Sequence, residues 1–91
     1  MAQISITQPH SLSPDAARAA AQKVADKLSR EYGLACQWAG DVLRFERSGV
    51  EGTLALGERE AALRIKLGML MSAFAPTIEQ KVADSMRKVF G

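Results

Sequence analysis

The stretch from Leu34 to Leu67 reads LACQWAGDVLRFERSGVEGTLALGEREAALRIKL, and it decides the fold. Four runs of alternating residues lie along it. Leu34, Cys36 and Trp38 alternate with Ala35 and Gln37, and Leu43 and Phe45 alternate with Arg44 and Glu46. Val50, Leu54 and Leu56 share one face of the third run, with Gly52 between them on that face. Ala61, Leu63, Ile65 and Leu67 alternate with Ala62, Arg64 and Lys66 in the fourth, the cleanest of the set. A period of two sends successive side chains to opposite faces of an extended chain, so each run predicts a strand with one buried face. Gly40-Asp41, Ser48-Gly49 and Gly57-Glu58-Arg59 separate the runs. Connections this short join antiparallel neighbours, so the four strands form a meander. Gly52, on the apolar face, predicts either a bulge or the close approach of another group.

Upstream, Ile4 and Ile6 alternate with Gln3, Ser5 and Thr7, which predicts one more strand. Ser13-Pro14-Asp15 then opens a helix. The serine can accept from a free N–H, proline suits the first helical position, and the aspartate meets the positive end of the dipole. Ala16 sits where a capping box would need glutamate. The helix should run to Tyr32, with Gly33 as a left-handed stop. Its apolar face is Ala17, Ala20, Ala21, Val24, Leu28 and Tyr32. Downstream, from Pro76 onward, Ile78, Val82, Met86 and Val89 recur at helical spacing. The expectation is therefore one α+β domain spanning residues 1–91, in the order β-α-β-β-β-β-α. An antiparallel sheet carries both helices on one face, because every strand offers only one apolar side. The first strand fits best antiparallel beside the last, giving the order 1-5-4-3-2. Placement parallel beside the second strand is the alternative.

Composition narrows the function more by exclusion than by suggestion. The chain has 91 residues, of which 47% are apolar, and 12 basic against 10 acidic side chains leave a net charge of +2. That excess implies no nucleic-acid partner. Cys36 is the only cysteine, so no internal disulfide forms and a cytoplasmic location is expected. The N-terminal residues lack the basic and apolar segments of a secretion signal. The longest apolar stretch, about residues 67–75, falls far short of the ~20 residues that span a bilayer.

No catalytic constellation, metal site or cofactor motif is expected. His10 is the single histidine and reads as a polar loop residue before the helix. Cys36 and Trp38 have inward parity, and Trp38 is expected to be the largest core side chain, with a partner for its indole N–H. Arg44, Arg64 and Lys66 point to the open face of the sheet, but Glu46 and Glu51 dilute their charge and no aromatic has that parity, so a solvated face is expected. The least ordinary feature is Met69, Leu70, Met71 and Phe74, after the last strand. These side chains either close one end of the core or offer an adaptable apolar contact to a partner. They are the candidate site. A homodimer, through an exposed sheet edge or through this apolar stretch, is also expected.

Several of these residues carry a resemblance. His10-Ser11-Leu12-Ser13 leads into the Ala-rich helix. Trp38-Ala39-Gly40-Asp41-Val42-Leu43-Arg44-Phe45 follows the pattern Trp-x-Gly-Asp-x-Leu-x-Phe. Gly49-Val50-Glu51-Gly52-Thr53-Leu54 follows Gly-x-x-Gly-x-Leu, and Leu67-Gly68-Met69-Leu70 and Ile78-Glu79 complete the set. Over essentially the whole chain this resembles a bacterial family, the polyhydroxyalkanoic acid system proteins, also labelled granule-regulating. None of the matching motifs is catalytic. The resemblance implies an accessory or regulatory role, without enzymatic activity, in the storage of polyhydroxyalkanoate, a polyester kept in cytoplasmic granules. The contact would be with a granule protein or the granule surface. The predicted fold also resembles a reduced helix-grip sheet, which implies the rival role of a carrier for a small hydrophobic acyl ligand.

Overall fold

A computed structural model describes residues 2–69 and 71–90 of the chain. Strand β1 is Ala2–Pro9 and helix α1 is Pro14–Tyr32. Strands β2 (Ala35–Ala39), β3 (Val42–Arg47), β4 (Val50–Leu56) and β5 (Glu60–Leu67) follow. A single 3-10 turn, Ser72–Phe74, leads into helix α2, Ala75–Phe90. The five strands form one antiparallel sheet in the order β1-β5-β4-β3-β2, so the first strand lies beside the last.

Local chemistry sets the helix and turn boundaries. The Ser13 side chain accepts from the Ala16 N–H at 3.2 Å, and Pro14 occupies the first turn. Gly33 adopts φ +67°, and its N–H returns to the Ser29 carbonyl. Arg47 donates to the Tyr32 carbonyl at 2.6 Å, placing a cation on the negative end of α1. In the β2–β3 turn Gly40 has φ +61°, a left-handed conformation that glycine adopts without steric cost.

The core lies between the sheet and the helices, which pack on each other; α1 crosses β2, β3 and β4, and α2 lies against β1. Ile4, Leu43, Phe45, Leu54, Leu63, Ile65 and Leu67 come from the strands, and Val24, Leu28, Val82 and Met86 from the helices. The register runs unbroken through Gly52, which pairs with Phe45 on one side and Ile65 on the other. Of the two readings of this glycine, close approach is the correct one. A Cβ there would lie 2.7 Å from the Arg64 carbonyl oxygen and 2.8 Å from the Phe45 ring.

One core expectation needs correction. Trp38 is half-buried and packs against the edge of the core, whereas Phe45 leads the fully buried side chains by volume. The cause is position: β2 is an edge strand, so Trp38 has sheet on one flank only. His10 lies in the connection before α1, as expected, and is only 8% exposed. Its Nδ1 accepts from the Leu12 N–H at 3.1 Å, which leaves Nε2 to donate to the Gly57 carbonyl, also at 3.1 Å. The ring packs on Phe90, so one side chain ties the β1–α1 connection, the β4–β5 turn and the end of α2 together.

Candidate functional site

The candidate segment begins where β5 ends. Leu67 points into the core, and Gly68 then donates to the Gly49 carbonyl at 2.8 Å, anchoring the exit from β5 to the β3–β4 turn. Two successive three-residue bonds turn the chain, Met71 N–H to Gly68 O at 3.1 Å and Ser72 N–H to Met69 O at 3.4 Å, and the Ser72 hydroxyl donates to Gly68 O at 2.9 Å. Phe74 N–H returns to Met71 O, and α2 starts at the next residue.

This path separates the candidate residues. Met71 turns inward, half-buried against the core and close to Gly49. Met69 is 85% exposed and Phe74 54% exposed, and among the described residues these are the large apolar side chains left in solvent. Leu70 lies outside the described residues. The segment's residues therefore divide: Met71 helps to close the core, while Met69 and Phe74 are left exposed. A shallow depression lies at the exit from β5, lined by Arg47, Gly49, Val50, Glu51, Lys66, Leu67 and Gly68.

Other groups offer less chemistry. On the open sheet face, Gln37, Arg44, Thr53, Arg64 and Ser5 form one row across the strands, and Ala35, Glu46, Glu51, Lys66 and Gln3 form the next. Neither row holds an ion pair among the described residues, and no aromatic side chain lies in them. Cys36 lies under α1, its thiol directed at the Ala25 carbonyl at 3.6 Å. Burial, with the nearby Asp26 carboxylate second, pushes this thiol above its ordinary value of 9.0 and away from the reactive thiolate. Tyr32 is raised in the same way, by burial first and Glu31 second. Among the described residues no cluster of three His, Cys, Asp or Glu side chains could hold a metal ion. None of their helices is long and apolar enough to cross a membrane.

The space a carrier would need, between the sheet and the last helix, is occupied by Ile78, Val82, Met86 and Phe90. A crevice lined by side chains of both helices, among them Leu28, Tyr32, Val82 and Ser85, holds about 10 Å³. That is close to the volume of one water molecule and far below the ~300 Å³ at which ligand pockets begin.

A family model described as putative polyhydroxyalkanoic acid system protein matches residues 4–90. The chain belongs to that family. No curated protein matches it. The residues that carried the resemblance turn out to hold a polyhydroxyalkanoic acid system protein together. His10 ties three elements, Gly40 makes the β2–β3 turn, Gly52 admits the Phe45 ring, and Gly68 meets Gly49. They mark the fold and leave the chemistry to other positions. The sequence singles out Met69–Phe74 as an apolar stretch but does not separate Met71 from its neighbours. That separation depends on the Gly68–Gly49 bond, and two glycines carry no hydropathic signal.

Proposed function

We propose that this polyhydroxyalkanoic acid system protein is a non-enzymatic accessory or regulatory component of polyhydroxyalkanoate storage. It acts by binding a granule protein or the granule surface through Met69 and Phe74. The observation that carries the reading is the exposure of these two side chains within one six-residue segment, in a chain whose other large apolar residues are buried or half-buried among the described positions. An exposed methionine adapts its shape to an irregular apolar partner, and Phe74 follows five residues later, at the end of the 3-10 turn. Membership in a polyhydroxyalkanoate family supplies the partner class. The carrier role is not favoured, since the core beneath α2 is filled.

The test is sedimentation with isolated polyester granules. The native protein should pellet with them. A Met69→Ser, Phe74→Ser variant, with an unchanged circular dichroism spectrum, should stay in the supernatant. Equal pelleting of the two folded proteins contradicts the proposal.

A further inference from the structure

The two edges of the sheet are finished differently. At the β1 edge α2 covers the inner row: Ile4 is 2% exposed, Ile6 and Gln8 are half-buried, and the strand ends on Pro9. At the β2 edge it is open. Cys36 and Trp38 are only half-buried, and Ala35-Cys36-Gln37-Trp38-Ala39 contains neither a charge nor a proline, the devices that usually keep an edge from pairing. The two-residue turn closes on a hydrogen-bonded pair, so Ala39 and Gln37 direct their backbone groups to β3, and Cys36 and Trp38 direct theirs outward.

We infer that β2 is the interface for a second copy of this chain, joined antiparallel about a two-fold axis at Gln37. In that register Cys36 of each copy faces Trp38 of the other, and each such pair exchanges two backbone hydrogen bonds. Gln37 faces its own counterpart across the axis. Both copies keep their helices on the same side of one ten-stranded sheet, and the open inner row continues from one copy into the next.

The helix layer fits this arrangement. With α1 centred near β3, the two α1 helices stand three strand spacings apart, about 14 Å. That exceeds the 8–10 Å of direct helix packing, and long side chains already occupy the space. Arg18 stacks 4.1 Å from the Trp38 ring centroid, Trp38 donates to Gln22 at 2.8 Å, and Gln22 donates to Asp26 at 3.0 Å. The ridge thus runs from a cation beside Trp38 to an anion near Cys36. The two-fold reverses it, so the cationic end of each copy meets the anionic end of the other. Five residues of strand and one helix ridge form a small interface, so the dimer dissociates on dilution.

Sedimentation equilibrium of the native chain should show a mass rising with concentration from 9.8 kDa towards twice that value. Cysteine cross-linking in a Cys36→Ser background locates the contact. Gln37→Cys should form an intermolecular disulfide under mild oxidation, because non-hydrogen-bonded partners stand ~4.5 Å apart at Cα, within disulfide reach. Ser5→Cys on β1 and Thr53→Cys on the open face should not. Gln37→Glu should weaken association several-fold with no loss of folding stability, since the carboxylate repels its counterpart across the axis but sits beside Arg44 in its own chain. A chain that stays monomeric at millimolar concentration overturns the inference. So does cross-linking through Ser5 or Thr53 in place of Gln37, or a Gln37→Glu chain that associates as tightly as the native one.

Discussion

Gly52→Ala should be among the most damaging single-methyl changes available in this protein. The added carbon would lie 2.7 Å from the Arg64 carbonyl oxygen and 2.8 and 2.9 Å from two carbons of the Phe45 ring. Neither neighbour can yield easily. The carbonyl belongs to β5 and lies in the middle of the sheet, and Phe45 is 1% exposed. Overpacking of this kind costs ~1–3 kcal/mol. Loss of glycine entropy in the unfolded chain returns about 0.4–1 kcal/mol. The two backbone and ring contacts place the cost at the upper end, so the net expectation is about 2 kcal/mol. A domain of this size has total stability of ~5–10 kcal/mol, and each kcal/mol moves its melting temperature by ~4–8 °C. Urea unfolding followed by circular dichroism measures the change. Gly40→Ala is a useful contrast, because no atom lies within 4 Å of its added carbon and only the left-handed φ of +61° opposes it. Its cost should be about 1–2 kcal/mol. Phe45→Leu, which withdraws the ring carbons, should relieve part of the Gly52→Ala penalty, giving a favourable coupling of about 1 kcal/mol in a double-mutant cycle. Additive effects, or a Gly52→Ala protein as stable as the native one, would refute the close-approach argument.

Other expectations follow from burial and partners. Phe45→Ala should cost ~3–5 kcal/mol, whereas Trp38→Ala, at the half-open edge, should cost about 1–2 kcal/mol; equal midpoints in urea would contradict the ordering. His10→Ala strands the Leu12 N–H and the Gly57 carbonyl and should cost ~1–3 kcal/mol, read as a lower melting temperature. Cys36 and Tyr32 hold their protons more tightly folded than unfolded. Stability is therefore unaffected below the unfolded values of 9.0 and 10.0 and falls as pH rises through them, so urea midpoints should be flat near neutrality and decline above pH 9. Cys36 should also react with iodoacetamide at pH 8 more slowly than an unfolded control, and Asp26→Asn should speed it modestly.

Much of this fold is written locally. Ser13, Pro14 and Gly33 mark the ends of α1, and three short glycine turns dictate a meander. The apolar character of β5 also foretold its place inside the sheet, beside β1. Alternation, however, reports which face a side chain takes and not how deeply it lies. Trp38 and Phe45 share a parity, yet one lies on an edge strand and the other on a strand flanked on both sides. Depth depends on the neighbouring strand, which a single run cannot reveal. His10 illustrates the same limit: its burial is made by Gly57 and Phe90, which lie 47 and 80 positions away. The candidate site was legible as an apolar stretch out of place between β5 and α2. The inward turn of Met71 and the exposure of Met69 and Phe74 depend on backbone bonds from Gly68 and Ser72.

The proposal that Met69 and Phe74 form the granule contact is tested most directly by binding isotherms on isolated granules at low and high salt. Each side chain buried on binding contributes ~1.5–3 kcal/mol before association costs, so the native protein should bind at both salt concentrations with nearly the same affinity. The Met69→Ser, Phe74→Ser protein should lose at least tenfold at each. Binding that survives the double substitution, or that disappears when salt is raised, would contradict the account and move attention to Arg44, Arg64 and Lys66 on the open face of the sheet.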